Sequence, residues 1–132
     1  GQSLLLETGQ ETPVTLLRAL EDIGLPNVGI NLDPANLIMY GKANPIDAID
    51  TIGSRIVSVH AKDGLYPTDG RNLGVETAMG EGKVDFPRLL PALHAAGFTG
   101  TLTIEREISG EQQTADIKLA KQMLEDILAD LT

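Results

Sequence analysis

Four side chains that can bind a metal ion or transfer a proton occur where short apolar segments of the sequence end. They are Glu7 after Leu4 to Leu6, Asp33 after Val28 to Leu32, His60 after Ile56 to Val59, and Glu105 after Thr101 to Ile104. If these segments are parallel strands joined by helices, their ends meet at one edge of the sheet, where α/β folds place their active sites. Three carboxylates and one imidazole at such an edge predict a divalent-metal site.

Each of the four residues also has a structural alternative. Asp33 precedes a proline and can cap the segment that follows it. His60 can be a hydrogen-bonded core residue, Glu105 can pair with a neighbouring cation, and Glu7 can be a solvated loop residue. We favour the metal site because the four residues occur together, at the ends of four consecutive strands.

The intervening segments indicate helices. Thr12 and Pro13 begin one that Gly24 ends, and Asn44 with Pro45 begins another. The remaining helical segments are a short stretch after Asp33, a helix from Phe86 to Gly97, and a last helix containing Ile117 to Leu128. Residues 63–85 are rich in glycine and predict a long loop. An alternation of strand and helix requires a parallel sheet, so we predict one α/β domain of four parallel βα units over residues 1–132.

Composition restricts the partners that we expect. The chain has 132 residues, 42% of them apolar, and a formal net charge of -9. Its ten basic residues are scattered, which disfavours a nucleic-acid or anionic membrane partner. No signal peptide or membrane span is visible. There is no cysteine, which excludes disulfides and thiolate ligands and fits a cytoplasmic location. The first residue is Gly1, so we expect that an upstream segment was removed.

Several longer motifs resemble one known family. They are Gly80 to Phe86, Gly97 to Glu105, Val59 to Asp63, and Asn31 to Leu37. Together they resemble the C-terminal part of the xylose isomerase-like TIM barrels, which include sugar phosphate isomerases and epimerases. Because such barrels have eight strands and about 250 residues, the resemblance implies that this chain is the C-terminal half of a (β/α)8 barrel, units five to eight.

The resemblance also implies a site and a reaction. Glu7, Asp33, His60 and Glu105 match the residues that hold a divalent metal in the family, most simply manganese or magnesium, with cobalt or zinc as substitutes. Glu7 and Glu105 would be the catalytic acid/base pair, which moves a proton on a sugar, sugar phosphate or polyol through an enediolate. Asp33 and His60 would mainly anchor the metal. The full-length parent would then be an isomerase or epimerase.

Two further residues are candidates for substrate binding. Asn36 follows Asp33 by three positions, where some ketose epimerases carry a substrate-binding histidine, so the chain departs from their pattern here. Lys62 lies on the same side of its strand as His60 and can contact a substrate phosphate or carboxylate; a solvated strand-end lysine is the alternative. Asp63 and Arg71 are possible loop contacts. We interpret the Gly80 to Gly82 segment as a backbone turn and His94 as a surface or packing residue.

A non-catalytic half-barrel that needs a partner half is the alternative function. An apurinic endonuclease is disfavoured by the charge and by the presence of only two histidines. Half a barrel leaves an apolar inner face and two strand edges uncovered. We therefore expect either a homo-oligomer or pairing with a missing N-terminal half.

Overall fold

The computed structural model describes residues 1–131. Its elements in chain order are β1 (Leu4–Glu7), α1 (Pro13–Ile23), β2 (Val28–Leu32), α2 (Pro34–Met39), α3 (Pro45–Ile52), a 3-10 turn (Gly53–Arg55), β3 (Ile56–Ala61), β4 (Asp63–Gly64), β5 (Glu76–Thr77), α4 (Phe86–Ala95), β6 (Thr101–Ile104) and α5 (Glu111–Leu131). Strands β1, β2, β3 and β6 form one sheet in that order, and all three pairings are parallel. The predicted α/β class with four parallel βα units is confirmed.

Local sequence signals explain where the helices begin and end. The Thr12 hydroxyl accepts a hydrogen bond from the backbone of Thr15, and Asn44 caps α3 in the same way. A proline follows each of these caps, at a position where its missing N–H costs no helical hydrogen bond. Helix α1 ends at Gly24, whose φ of 63° is accessible to glycine at little cost.

The helices cover one face of the sheet. Ile30, Leu32 and Val59 are fully buried beneath them. The opposite face carries Leu5 and Val57, and Val57 is 50% exposed. This open face also carries a row of polar residues that are neighbours across the four strands: Glu7, Asn31, Ser58 and Thr101. The uncovered face is therefore less apolar than we expected for half of a barrel.

Two predictions about β3 and the following loop were wrong in detail. Strand β3 continues to Ala61, so His60 lies inside the strand and not after it. Residues 63–85 contain an antiparallel pairing of β4 with β5. The backbone N–H of Gly74 donates to the Met39 carbonyl at 2.8 Å, which attaches this hairpin to α2. Within residues 1–131, no helix has the length and apolar character needed to cross a membrane.

Candidate metal centre

Four side chains meet at the carboxyl end of the parallel sheet. Glu7, Asp33, His60 and Glu105 each offer one ligand atom, and these atoms all lie within 4.8 Å of one another. The expected convergence is confirmed. Ligands on opposite sides of one hard cation are separated by about 4–5 Å, twice a typical metal–oxygen distance. The cluster therefore has the dimensions of a site for a single ion.

Asp33 divides its two oxygens between the fold and the cluster. Its Oδ1 accepts from the backbone N–H of Asn36 at 2.9 Å and so caps α2. The backbone of Asp33 is held by Thr8, whose hydroxyl contacts both the Asp33 N–H and its carbonyl at 2.8 Å. Its Oδ2 is buried and has no hydrogen-bond partner among the described residues. A buried carboxylate oxygen without a donor is costly unless a cation balances it. Lys62 Nζ lies 3.6 Å from Oδ2, beyond hydrogen-bond distance, so Oδ2 still has a lone pair to offer a metal ion.

The imidazole of His60 lies between the carboxylates. Its Nδ1 is 3.2 Å from Glu7 Oε1, 3.4 Å from Glu105 Oε2 and 3.9 Å from Asp33 Oδ2. The other ring nitrogen, Nε2, is 3.0 Å from the side-chain amide of Asn31. Nδ1 is therefore the nitrogen available to an ion held by the carboxylates.

Lys62 is the cation next to the cluster. Its side chain is only 2% exposed, and its Nζ lies 3.0 Å from Glu107, 3.2 Å from Glu105 and 3.6 Å from Asp33. Burial lowers the pKa of Lys62, but the charge of Asp33 and hydrogen bonds to Glu107 and Glu105 outweigh burial and raise this pKa above its ordinary value. Lys62 is thus a permanent positive charge with three carboxylate neighbours, and its predicted contact with substrate stays a prediction.

The carboxylates of the cluster differ in acidity. Burial raises the pKa of Asp33 to about 7, against the opposing effects of the Asn36 N–H and the Lys62 charge. Burial also raises the pKa of Glu105, but the hydrogen bond from Lys62 and the charges of Lys62 and His60 lower it further, to below its ordinary value. Near neutral pH, Glu105 is therefore ionised while Asp33 is close to its midpoint.

Asn36 lies beside the cluster. Its side-chain amide donates to the Thr8 carbonyl at 3.1 Å and to Glu7 Oε1 at 3.5 Å. It lines, with Glu7, Tyr40, Leu73 and Glu107, a cleft of about 450 Å³ that opens from the cluster. This placement is compatible with the predicted substrate contact of Asn36.

Other predicted residues have structural surroundings. Asp63 is buried, and its carboxylate accepts backbone N–H groups of Gly64, Gly80, Gly82 and Val84 at 2.9–3.1 Å. The Gly80 to Gly82 turn therefore encloses a side chain of its own fold. Of the other residues considered, Arg71 and His94 are exposed and lie outside the cluster.

Sequence reasoning missed three residues that contact the cluster or the side chains next to it. Asn31 contacts His60, Ser58 contacts Asn31, and Glu107 contacts Lys62. The signal for Asn31 was present, since it is a polar residue in the middle of an otherwise apolar strand. The alternative in which Glu105 pairs with a neighbouring cation is also present: Lys62 lies 3.2 Å from Glu105. Arg106, the next residue, pairs instead with Glu76 and Asp116.

The fold and the cluster define a class of protein. It is half of a parallel α/β barrel with a cluster of possible metal ligands at the carboxyl ends of its strands. The chain belongs to the family described as xylose isomerase-like TIM barrel, whose sequence model matches residues 3–127. The fold expected from the motifs is thereby confirmed.

Three similar proteins illustrate the relationship. A xylose isomerase domain protein from Planctomyces limnophilus is 42% identical, with a TM-score of 0.92 over 96% of this chain and 47% of its own. A xylose isomerase-like TIM barrel protein from Mycobacterium smegmatis, solved in complex with magnesium, is 17% identical, with a TM-score of 0.79 over 98% of this chain and 45% of its own, and shows the fold alone.

The third similar protein is the uncharacterized protein MJ1311 of Methanocaldococcus jannaschii. It is 30% identical over 118 residues, which are 89% of this chain and 37% of that protein. The chain thus spans about half the length of the similar solved barrels and little more than a third of this relative.

Proposed function

We propose that the protein containing this chain is a metal-dependent isomerase or epimerase of a sugar, sugar phosphate or polyol. The observation that carries the proposal is the buried Asp33 Oδ2, which lacks a hydrogen-bond donor and faces a cluster of ligand-type atoms within 4.8 Å. Proteins of the same fold include a D-tagatose 3-epimerase-like protein and an L-ribulose 3-epimerase. They are 23% and 24% identical to this chain and support the fold only.

Glu7, Asp33, His60 and Glu105 would hold the ion. Three hard carboxylates with a single nitrogen suit manganese or magnesium, and cobalt or zinc can replace them in such mixed sites. When bound, the ion supplies a Lewis acid for the carbonyl and hydroxyl oxygens of the substrate.

The two glutamates would transfer the proton. Glu105 is kept ionised by Lys62, so it is ready to accept a proton from a substrate carbon. The Glu7 side chain is 45% exposed and is oriented by Asn36, so it can return a proton from the other side of a substrate in the cleft. Proton removal next to a carbonyl passes through an enediolate, and a positioned base contributes about 10²–10⁴-fold to such a step.

The substitution Glu105→Gln tests this role. In a protein that joins this chain to the rest of its barrel, we expect an unchanged fold and a loss of activity of about 10²–10⁴-fold, because an amide cannot exchange the proton. Turnover would be assayed with manganese on a panel of ketoses and polyols. Glu125→Gln is the matched control, since Glu125 is exposed on α5 and pairs only with Lys121 among the described contacts. Near-normal turnover of the Glu105 variant would remove Glu105 from the acid/base role.

A half-barrel that binds a partner without catalysis is the second candidate. It is favoured by the outer edges of β1 and β6, which pair with no strand within residues 1–131 and can receive the strands of a partner. The two candidates differ in metal binding: a catalytic half binds Mn²⁺ through the cluster, whereas a purely structural half has no need of it. Calorimetric titration of the chain with Mn²⁺ separates them.

A further inference from the structure

Asn31 connects the candidate metal centre to the interior of the sheet. It lies on β2, in register with Glu7 of β1 and Ser58 of β3. Its Nδ2 is 3.0 Å from His60 Nε2, and its Oδ1 accepts a hydrogen bond from the Ser58 hydroxyl at 2.6 Å. Both ends of one partly buried amide are thus engaged, one of them by a cluster imidazole.

This orientation determines where a neutral His60 carries its proton. An amide NH₂ group can only donate, so Nε2 accepts and the ring proton is on Nδ1. Nδ1 then donates to the Glu7 carboxylate, 3.2 Å away. A metal ion bound at Nδ1 needs the lone pair of that nitrogen, which requires the other tautomer, with the proton on Nε2.

We propose that Asn31 is a positioning residue of the metal centre, and that its amide rotates when the ion binds, so that Oδ1 accepts the Nε2–H of His60. This inference rests on the proposed function. Ligating histidines commonly donate their second ring N–H to an acceptor that fixes the tautomer and the ring orientation. Asn31 is the side chain in contact with Nε2 among the described contacts, and it offers such an acceptor after a half-turn of its amide.

Ser58 makes both orientations possible. A hydroxyl can donate or accept. At present it donates to Oδ1; after the rotation it accepts from Nδ2, so neither end of the amide loses its partner. The Asn31–Ser58 pair therefore satisfies either tautomer of His60. An apolar residue at position 31 would satisfy neither.

Four variants of the 132-residue chain test the inference by calorimetric titration with Mn²⁺. Asn31→Leu removes the acceptor and should weaken Mn²⁺ binding by about 10–100-fold, the usual effect of losing an outer partner of a ligand. Asn31→Asp keeps an acceptor and should bind within about threefold of the wild type or more tightly. Ser58→Ala should give a smaller loss than Asn31→Leu. Asn27→Asp adds the same charge before β2, at the other end of the sheet, and should leave the affinity for Mn²⁺ unchanged.

Nitrogen-15 NMR spectra of His60 report which ring nitrogen carries the proton. This tautomer would not depend on position 31 if Asn31 had only a structural role. At a pH where the spectra show a neutral ring, we expect the proton on Nδ1 in the metal-free wild type and on Nε2 after addition of Mg²⁺. Metal-free Asn31→Asp should already carry it on Nε2. Because this variant retains the size of the native side chain, it remains informative even if Asn31→Leu does not fold.

The outcomes separate the inference from the function on which it rests. If the wild type binds Mn²⁺ and a folded Asn31→Leu variant binds it equally tightly, the inference is overturned but the proposed function is not. The same tautomer in the metal-free wild type and in Asn31→Asp would also overturn it. If the wild type binds no Mn²⁺, the proposed function fails, and the role of Asn31 fails with it.

Discussion

At the scale of single residues, Asp33 shows how a fold signal and a site signal coincide. The Asp33–Pro34 pair begins α2, and Oδ1 provides the cap that such a start requires. The cap fixes the carboxylate, which directs Oδ2 into the cluster without a hydrogen-bond donor. The structural and the functional interpretations of Asp33 are therefore compatible, because each uses a different oxygen.

The raised pKa of Asp33 predicts how the stability of the metal-free chain depends on pH. In the unfolded chain the carboxyl has the ordinary pKa of 3.8, and in the folded chain burial raises the pKa to about 7. The folded state therefore binds the proton more tightly. The stabilising contribution is complete below pH 3.8 and is lost as the pH rises through 7.

Asp33→Asn removes this titration and retains a side chain that can cap α2. We expect the free energy of unfolding of the wild type to fall relative to that of the variant between pH 4 and 7. Urea unfolding of both chains, without metal, measures the difference. Parallel pH profiles would show that Asp33 titrates normally in the folded chain.

The residues of the cluster were predictable because each follows a short apolar segment and lies at or near the carboxyl end of its strand. The polar residue Asn31 stood out in its apolar strand, but its contact with His60 was not predictable. Asn31 contacts His60 only because a register shift between Ile30 and Asn31 sets how β2 pairs with β3. Neither the shift nor the three carboxylates around Lys62 has a local signal, since both arise from strand pairing and from the hairpin.

At the scale of elements, the loop after β3 is built around the buried carboxylate of Asp63. A Cβ on Gly82 would lie 2.0 Å from Asp63 Oδ1, whereas a Cβ on Gly70 would meet nothing within 4 Å. We expect Gly82→Ala to destabilise the chain by about 2 kcal/mol or more, because either the turn or the carboxylate must move. Gly70→Ala should change stability by less than about 0.5 kcal/mol. Urea unfolding compares the two, and equal stabilities would contradict this account of the loop.

Arg106 holds the hairpin against the last helix. Its guanidinium donates to Glu76 of β5 at 2.9 Å and to Asp116 of α5 at 2.7 Å. A lysine has one compact charged group and cannot reproduce this fork. We expect Arg106→Lys to speed amide hydrogen exchange at β4 and β5.

Arg88→Lys is the control for Arg106→Lys, because Arg88 is 73% exposed and pairs only with Asp85 among the described ion pairs. Its exchange rates should match those of the wild type. An unchanged hairpin in the Arg106 variant would show that backbone contacts alone hold it.

The helices and the four long strands were predictable from caps, prolines and apolar spacing, which are local. The β4–β5 hairpin was not predictable from such local signals. Strands β4 and β5 have two residues each, too few for an alternating pattern. Asp63 of the hairpin also reaches Gly80, and Arg106 reaches Glu76 of the hairpin, across 17 and 30 positions of the sequence.

At the scale of the whole molecule, β1 and β6 are the outer strands of the sheet, and neither pairs on its outer side within residues 1–131. Exposed strand edges recruit other strands. In the similar barrels the chain covers about half of the length. A second half-barrel, whether from the same longer protein or from a second copy, would close both edges at once.

For the 132-residue chain alone we predict a two-fold dimer in which β1 of one copy pairs with β6 of the other. Two clusters would bring six carboxylates to one barrel mouth, and their repulsion weakens the dimer unless cations relieve it. We therefore expect light scattering to give twice the 14.0 kDa chain mass at micromolar concentration, with tighter association after addition of manganese.

Leu4→Lys tests pairing at the β1 edge directly. Leu4 is 59% exposed on β1, and a charged lysine on an edge strand disfavours pairing with another strand. Leu25→Lys is the matched control, since Leu25 is 53% exposed but lies in the loop between α1 and β2. We expect the Leu4 variant to dissociate at concentrations where the wild type and the Leu25 variant remain dimeric. A stable wild-type monomer at micromolar concentration would contradict closure by a second copy and leave a covalently linked half as the partner.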